Sequence, residues 1–238
     1  MTAAEGTGAR VARKIGLVQL CSGNDKDANF RACASLVAEA AAAGCQLVAL
    51  PENFSFMGSR AGESQAAAEP LEGPTMQRYR DLAKKHCVWL SLGGFQEPPA
   101  SGSASDGEEQ KIFNAHVVVD AAGSIAAAYR KIHLFDAPFT GLVESKQAKP
   151  GADVVWCDSP VGRLGVTICY DMRFPELYQR LRFEYGCEIL LMPSAFTMET
   201  GEAHWESLLR ARAIECQCFV LAAAQAGRHN EDGNRRTS

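Results

Sequence analysis

Short apolar runs alternate along the chain with longer segments whose apolar residues recur every three or four positions. "KIGLVQL" (14–20) predicts a strand, and the alanine-rich "ANFRACASLVAEAAAAG" (28–44) predicts a helix with Gly44 as its C-cap. "QLVALPE" (46–52) predicts a strand stopped at Pro51, "PTMQRYRDLAKKHC" (74–87) a helix, and "VWLSLGGF" (88–95) a third strand. "IFNAHVVVD" and "SIAAAYRK", joined by "AAG", predict a hairpin that interrupts the βα alternation. Before it, the Gly/Ser-rich "PPASGSASDGEEQK" (98–111) predicts a surface loop.

Beyond an irregular stretch (133–152), strands are expected at 153–157 and 163–169, then a helix from Pro175 to about Tyr185. "CEILLMPSAF" (187–196) reads as a buried strand, "HWESLLRARAIECQ" (204–217) as a helix, and "CFVLAAAQAG" (218–227) as a final strand. Strands apolar on both faces must be covered on both, so the expected class is α/β, with helices layered over the sheets. There is no internal repeat.

With 238 residues the chain fits one domain, expected over 14–238 behind a small, polar, disordered segment at 1–13. A formal charge of −4 without any basic stripe argues against a nucleic-acid partner. No apolar run approaches the roughly 20 residues of a membrane span, and the N-terminus lacks the apolar core of a secretory signal. Nine cysteines with no CxxC argue against a zinc site or a thioredoxin-like motif, and "CQC" (216–218) is too tight for a metal pair. Reduced thiols in the cytoplasm fit best, with a short organelle-targeting role for the N-terminus, as in a mitochondrial form, as the alternative.

The candidate chemistry sits in "GVTICYDMRFPE" (165–176), where an apolar run delivers Cys169 to a charged mouth just before a helix start. α/β folds build active sites there, and backbone N–H groups at a helix N-terminus lower a thiol pKa and hold an oxyanion. A buried structural cysteine is the equal alternative on position alone. A nucleophilic thiol needs a base. None of the five histidines has a protease-like setting, whereas a buried carboxylate can serve. Glu52 ends "VALPE" and Lys131 ends "AAYRK", so three strand ends carry Glu, Lys and Cys.

"LPENF", "YRKIHLFD" and "CYDMRFPEL", in this order, resemble the three catalytic blocks of the nitrilase superfamily. The resemblance implies a four-layer α-β-β-α sandwich with Glu52 as general base, Lys131 as oxyanion stabiliser and Cys169 as nucleophile. "ESKQAKPG" matches the setting of the family's second glutamate, which makes Glu144 the candidate. "WLSLGGFQE" and the segment from "PSAFTMETGEAHW" to "AAAQAGRH" are similar to the Nit branch, the deaminated glutathione amidases. The implied substrate is a small-molecule amide, cleaved to 2-oxoglutarate and cysteinylglycine with no metal or organic cofactor. The alternatives are an ω-amidase or related small-amide hydrolase, and a catalytically inactive scaffold.

In this scheme the Tyr170 N–H supports the oxyanion. Arg173 either clamps a substrate carboxylate or forms a structural salt bridge with Asp171 or Glu176. His204 and Trp205 are expected to pack, with Thr197–Ala203 lining the pocket. Family members continue past "GRH" into a further strand pair, so the chain is expected to lack the C-terminal part of its domain. It is then expected to be poorly soluble, or soluble only through association, and to melt lower than a longer, homo-oligomeric relative.

Overall fold

The computed structural model describes residues 13–99, 111–137, 141–230 and 236–237. The expectation for the first residues, and nearly all of the 98–111 loop, lie outside the described residues.

The first half of the chain builds one sheet and the helices on its outer face. β1 (Ile15–Leu17), α1 (Lys26–Ala42), β2 (Leu47–Leu50), α2 (Glu63–Ala66), α3 (Pro74–His86) and β3 (Trp89–Glu97) precede the hairpin β4 (Phe113–Val119) and β5 (Ile125–Arg130). The sheet order is β1-β2-β3-β4-β5, parallel up to β3 and antiparallel beyond it. Asp25 caps α1 by accepting the N–H groups of Asp27 and Ala28, and Gly44 takes the left-handed turn at its far end (φ +83°).

Strand alternation decides which side chain faces which layer. In β2, Val48 and Leu50 join the core beneath α1 and α3, with Val37, Met76 and Tyr79, while Leu47 faces the second sheet. β4 divides the same way, Val117 and Val119 toward the helices and Val118 toward the other sheet. These strands are apolar on both faces because both faces are covered.

The stretch expected to be irregular holds a short hairpin, β6 (Asp136–Ala137) and β7 (Leu142–Val143), and a 3₁₀ turn at Glu144–Lys146. β8 (Val155–Ser159), β9 (Gly162–Val166), a 3₁₀ turn at Cys169–Arg173, α4 (Pro175–Phe183), β10 (Ile189–Leu191), α5 (Met198–Cys216) and β11 (Phe219–Leu221) form the second half. The second sheet runs β11-β10-β9-β8, with Tyr178 and Leu181 of α4 and Cys216 of α5 packed into its core. Helices therefore lie outside two facing sheets, the expected α-β-β-α order.

One polar link crosses between the sheets: His116 Nδ1–H donates to the Thr167 carbonyl (2.8 Å) and its Nε2 accepts from Ser91 Oγ (2.7 Å). Burial lowers this imidazole to about 4, so it stays neutral, as an accepting Nε2 requires.

Several expectations shift. α5 starts at Met198 rather than at His204, because the Thr197 hydroxyl accepts the Thr200 N–H and caps a turn with little apolar periodicity. "CFVLAAAQAG" is regular strand only over β11, and it is not buried on both faces. β11 is an edge of the second sheet and Phe219 is 75% exposed. Beyond it the chain crosses toward the first sheet, where Gln225 bridges Leu20. The polar segment that follows folds back as β12 (Gly227–Arg228) against β13 (Arg236–Thr237), and Thr237 bridges Thr197. Among the described residues no helix is long and apolar enough to cross a membrane.

Candidate active site

The open ends of the two sheets face a cleft of about 860 Å³, and Glu52, Lys131, Glu144 and Cys169 line it together with Tyr170 and Arg173. All six residues singled out in the sequence thus meet in one place. Thr197 and Thr200 line it as well, as the first turn of α5 rather than as a loop. Trp205 packs edge-on against Phe196 (5.1 Å), in keeping with its expected role.

Each group arrives by a local device. Lys131 lies one residue past β5 on the face of Ala127 and Tyr129, the side of the strand that looks into the second sheet. Glu52 follows β2 at a tight corner that requires a close backbone approach from β3. There a bulge falls between Leu92 and Phe95, and Gly94 adopts φ +69°. A Cβ on Gly94 would lie 2.6 Å from Glu52 Cγ, and one on Gly93 would lie 2.1 Å from Pro193 Cβ. The Pro193 carbonyl in turn accepts the Cys169 N–H (2.9 Å). The two glycines therefore let the Glu52 corner and the Cys169 support close on β3 from opposite sides.

Cys169 stands in the left-handed region (φ +45°), which turns its side chain sharply out of the strand path. Fully buried Asp171 holds this elbow. Its Oδ2 accepts from the Ile168 N–H (2.9 Å) and the Tyr129 hydroxyl (2.7 Å), and its Oδ1 from the His133 N–H (3.0 Å) and Nδ1 (2.8 Å). From the far side, Arg212 Nε donates to the Met172 carbonyl (2.9 Å). The Tyr170 N–H has no acceptor among the described residues.

Glu52 and Lys131 are almost wholly buried, which makes their charges costly unless paired. Lys131 Nζ lies 2.8 Å from Glu144 Oε2 and 3.3 Å from Glu52 Oε1. Burial alone would lower the lysine, but the charges of Glu144 and Glu52 overcome it and hold the ammonium well above its ordinary value. Burial likewise pushes Glu144 upward, but Lys131 and the Phe135 N–H (2.7 Å) outweigh it and keep its carboxyl below the usual range.

The thiol behaves differently from the sequence-based expectation. Burial, reinforced by the Glu52 charge, raises the Cys169 thiol, and Lys131 opposes this only in part. A single 3₁₀ turn supplies too little dipole to reverse it. Burial thus favours the protonated thiol of Cys169, with Glu52 beside it.

Arg173 pairs with neither carboxylate suggested for it. Asp171 is occupied by the elbow, and Arg173 Nη2 instead donates to His204 Nδ1 (3.2 Å) while its guanidinium lies over the Tyr170 ring (5.7 Å). Three contributions were missed in the sequence: Asn114, which bonds both Glu52 and Glu144, Asp171 as organiser of the elbow, and the Gly93–Gly94 bulge. Asn114 had a signal, since it shares a strand face with His116 and Val118, and its carbonyl accepts the Lys131 N–H across the hairpin (2.9 Å).

This sandwich is the nitrilase fold, and the chain belongs to the carbon-nitrogen hydrolase family, which it matches over residues 14–236. It is an enzyme class that cleaves carbon–nitrogen bonds by hydrolysis, and the resemblance to the Nit branch is borne out by its relatives. The deaminated glutathione amidase of Dictyostelium discoideum is 49% identical over 226 residues, which cover 92% of this chain and 76% of that protein. The deaminated glutathione amidase of Mus musculus is 47% identical over 222 residues, covering 91% and 67%. The crystal structure of the Caenorhabditis elegans NitFhit protein superposes with a TM-score of 0.84 at 44% identity, over 94% of this chain and 53% of the other. Saccharomyces cerevisiae Nit3, a member of branch 10 of the nitrilase superfamily, gives 0.77 at 31% identity, over 94% and 79%.

Proposed function

We propose that this enzyme is an amidase that hydrolyses deaminated glutathione through a cysteine thioester. The observation that carries the reading is the convergence of the Cys169 thiol, the buried Lys131 and the carboxyl groups of Glu52 and Glu144 on one cleft. Glu52 takes the Cys169 proton as sulfur attacks the amide carbonyl, so a thiol with a raised pKa becomes nucleophilic only when substrate is in place. The oxyanion forms against Lys131 Nζ and the Tyr170 N–H. Glu52 then returns the proton to the departing nitrogen, the C–N bond breaks, and cysteinylglycine leaves. Water gives a proton to Glu52 and attacks the thioester. The C–S bond breaks, Glu52 passes that proton to the departing sulfur, 2-oxoglutarate leaves, and the Cys169 thiol is restored. No step calls for a metal or an organic cofactor.

Arg173 binds a substrate carboxylate in this scheme, which its bond to His204 rather than to an acid supports. Arg173→Ala is expected to raise KM for deaminated glutathione about tenfold or more with little change in melting temperature. Equal KM values for the two enzymes would remove the clamp. Gly94→Ala is expected to push Glu52 from its corner, lowering kcat with KM nearly unchanged and costing about 1–3 kcal/mol of stability; steady-state kinetics with urea unfolding measures both.

The test of substrate is a side-by-side assay of deaminated glutathione, glutathione and 2-oxoglutaramate. Deaminated glutathione is expected to give the highest kcat/KM, and preference for 2-oxoglutaramate would make the enzyme an ω-amidase. All nine cysteines are unpaired, which supports a reduced compartment, the cytoplasm or the mitochondrial matrix. Exposed Phe183, Ile214 and Phe219 on α4, α5 and β11 support assembly into a homo-oligomer.

A further inference from the structure

Asn114 donates both amide hydrogens to carboxylates, to Glu52 Oε1 (2.9 Å) and Glu144 Oε1 (3.0 Å). Lys131 closes the ring from the other side, at Glu52 Oε1 (3.3 Å) and Glu144 Oε2 (2.8 Å). Two carboxylates and one ammonium leave this ring one negative charge in excess. Without further donors, the easiest relief would be for one carboxylate to take up a proton.

The orientation of the amide follows from chemistry, because only its NH₂ end can meet two carboxylates. Asn114 Oδ1 is thereby left buried and without a partner among the described residues. A bare buried acceptor is a standing cost that folded proteins avoid unless another constraint prevails. Here the constraint is the pair of bonds on the other end of the same side chain. Both bonds from Asn114 and Lys131 to the Glu52 carboxylate end on Oε1, which leaves Oε2 for the thiol.

We propose that Asn114 is a positioning residue for the amidase reaction. It clamps Glu52 Oε1 to Glu144, shares with Lys131 the task of donating to both carboxyl groups, and leaves one Glu52 oxygen to receive the Cys169 proton. This rests on the reading of Glu52 as base and Cys169 as nucleophile. The charged and titratable groups facing Glu52 are Lys131 from the end of β5, Glu144 from its 3₁₀ turn and Cys169 from the elbow. The neighbouring β3 glycines and Gln225 bring no charge. Arg60, Lys146, Arg173, Glu199 and His229 line the same cleft.

The test compares Asn114→Ala, the isosteric Asn114→Asp and Glu52→Gln by two readouts against pH. One is kcat and KM for deaminated glutathione; the other is the rate of Cys169 alkylation by iodoacetamide, located by mass spectrometry. Asn114→Ala is expected to lose about 10–100-fold in kcat at neutral pH, with KM nearly unchanged. Its acid limb should move up by about one pH unit in both readouts. Asn114→Asp adds a third carboxylate, so it should be the poorer enzyme at neutral pH and gain on Asn114→Ala toward acid, where a protonated acid can again donate. If Asn114→Ala fails to fold, the isosteric variant carries the measurement. A loss equal at every pH, or a parental profile, overturns the proposal while Glu52→Gln remains inactive. If Glu52→Gln keeps turnover and alkylation, the base assignment falls and the proposal with it.

Discussion

Cys169→Ala is expected to lose all measurable amide hydrolysis while folding as the parent does. Removing one sulfur atom from a buried site costs little packing beside Glu52, and alanine inherits the same left-handed backbone (φ +45°) without adding strain to it. Cys169→Ser should be equally inactive, because a hydroxyl is a far weaker nucleophile in front of a carboxylate base. The elbow itself does not depend on the thiol, since Asp171 holds it through Ile168, Tyr129 and His133.

Alkylation gives a second check. Exposed Cys21 and Cys87 should react first with iodoacetamide, without loss of activity. Cys169 should react slowly at neutral pH and faster as pH rises, since burial and Glu52 hold its thiol up. The remaining buried thiols should stay silent, with Cys33 raised to about 12 and Cys157 to about 11 by burial. Activity surviving in Cys169→Ala, or activity lost as Cys21 and Cys87 label, would refute the assignment of the nucleophile.

What could be read from the sequence was whatever depends on local pattern. Glu52, Lys131 and Cys169 each follow an apolar run, so their places at strand ends are legible residue by residue. The β4–β5 hairpin was legible because "AAG" sits between two β-branched or apolar runs, and Gly123 indeed takes φ +81° in its turn. Long-range geometry was not. The partner of Arg173 is His204, on a helix 31 residues away, while two acids close in sequence are claimed by other groups or left unused. Whether Cys169 would be raised or lowered depended on how deep the cleft is and on Glu52, neither of which a motif encodes. The start of α5 was missed because "METGEA" carries almost no apolar period, although Thr197 is a good cap. Asn114 was overlooked for a different reason: its place on the His116 and Val118 face of the strand was legible, but an uncharged amide there gains a role only once the two acids it joins are known to flank it.

Lys131→Met is expected to have the largest combined effect, on both turnover and stability. Turnover should fall by about 10²–10³-fold or more, as removal of an oxyanion donor does elsewhere. Stability should fall by about 3–5 kcal/mol, because Glu52 and Glu144 stay buried without their cation. The pH dependence distinguishes this loss from simple misfit. In the parent, the Lys131 ammonium is raised, so its contribution is fully present across neutral pH and is lost only far into the alkaline range. Glu144 is depressed, so its contribution is present above about pH 4.3, the unfolded value, and is lost as pH falls through the folded one. In Lys131→Met the sign for the acids reverses. Asn114 and the Phe135 N–H then oppose the cost of burial only in part, protonation relieves the rest, and the deficit in unfolding free energy should shrink between about pH 7.5 and about pH 5. Adding Glu144→Gln to Lys131→Met removes one of the stranded charges, so it should restore part of the stability at neutral pH and none of the turnover. Urea unfolding at the two pH values, with assays of the single and double variants, checks each part. A deficit that is the same at both pH values, or a Lys131→Met enzyme with near-parental kcat, would mean that the ammonium serves neither the acids nor the oxyanion.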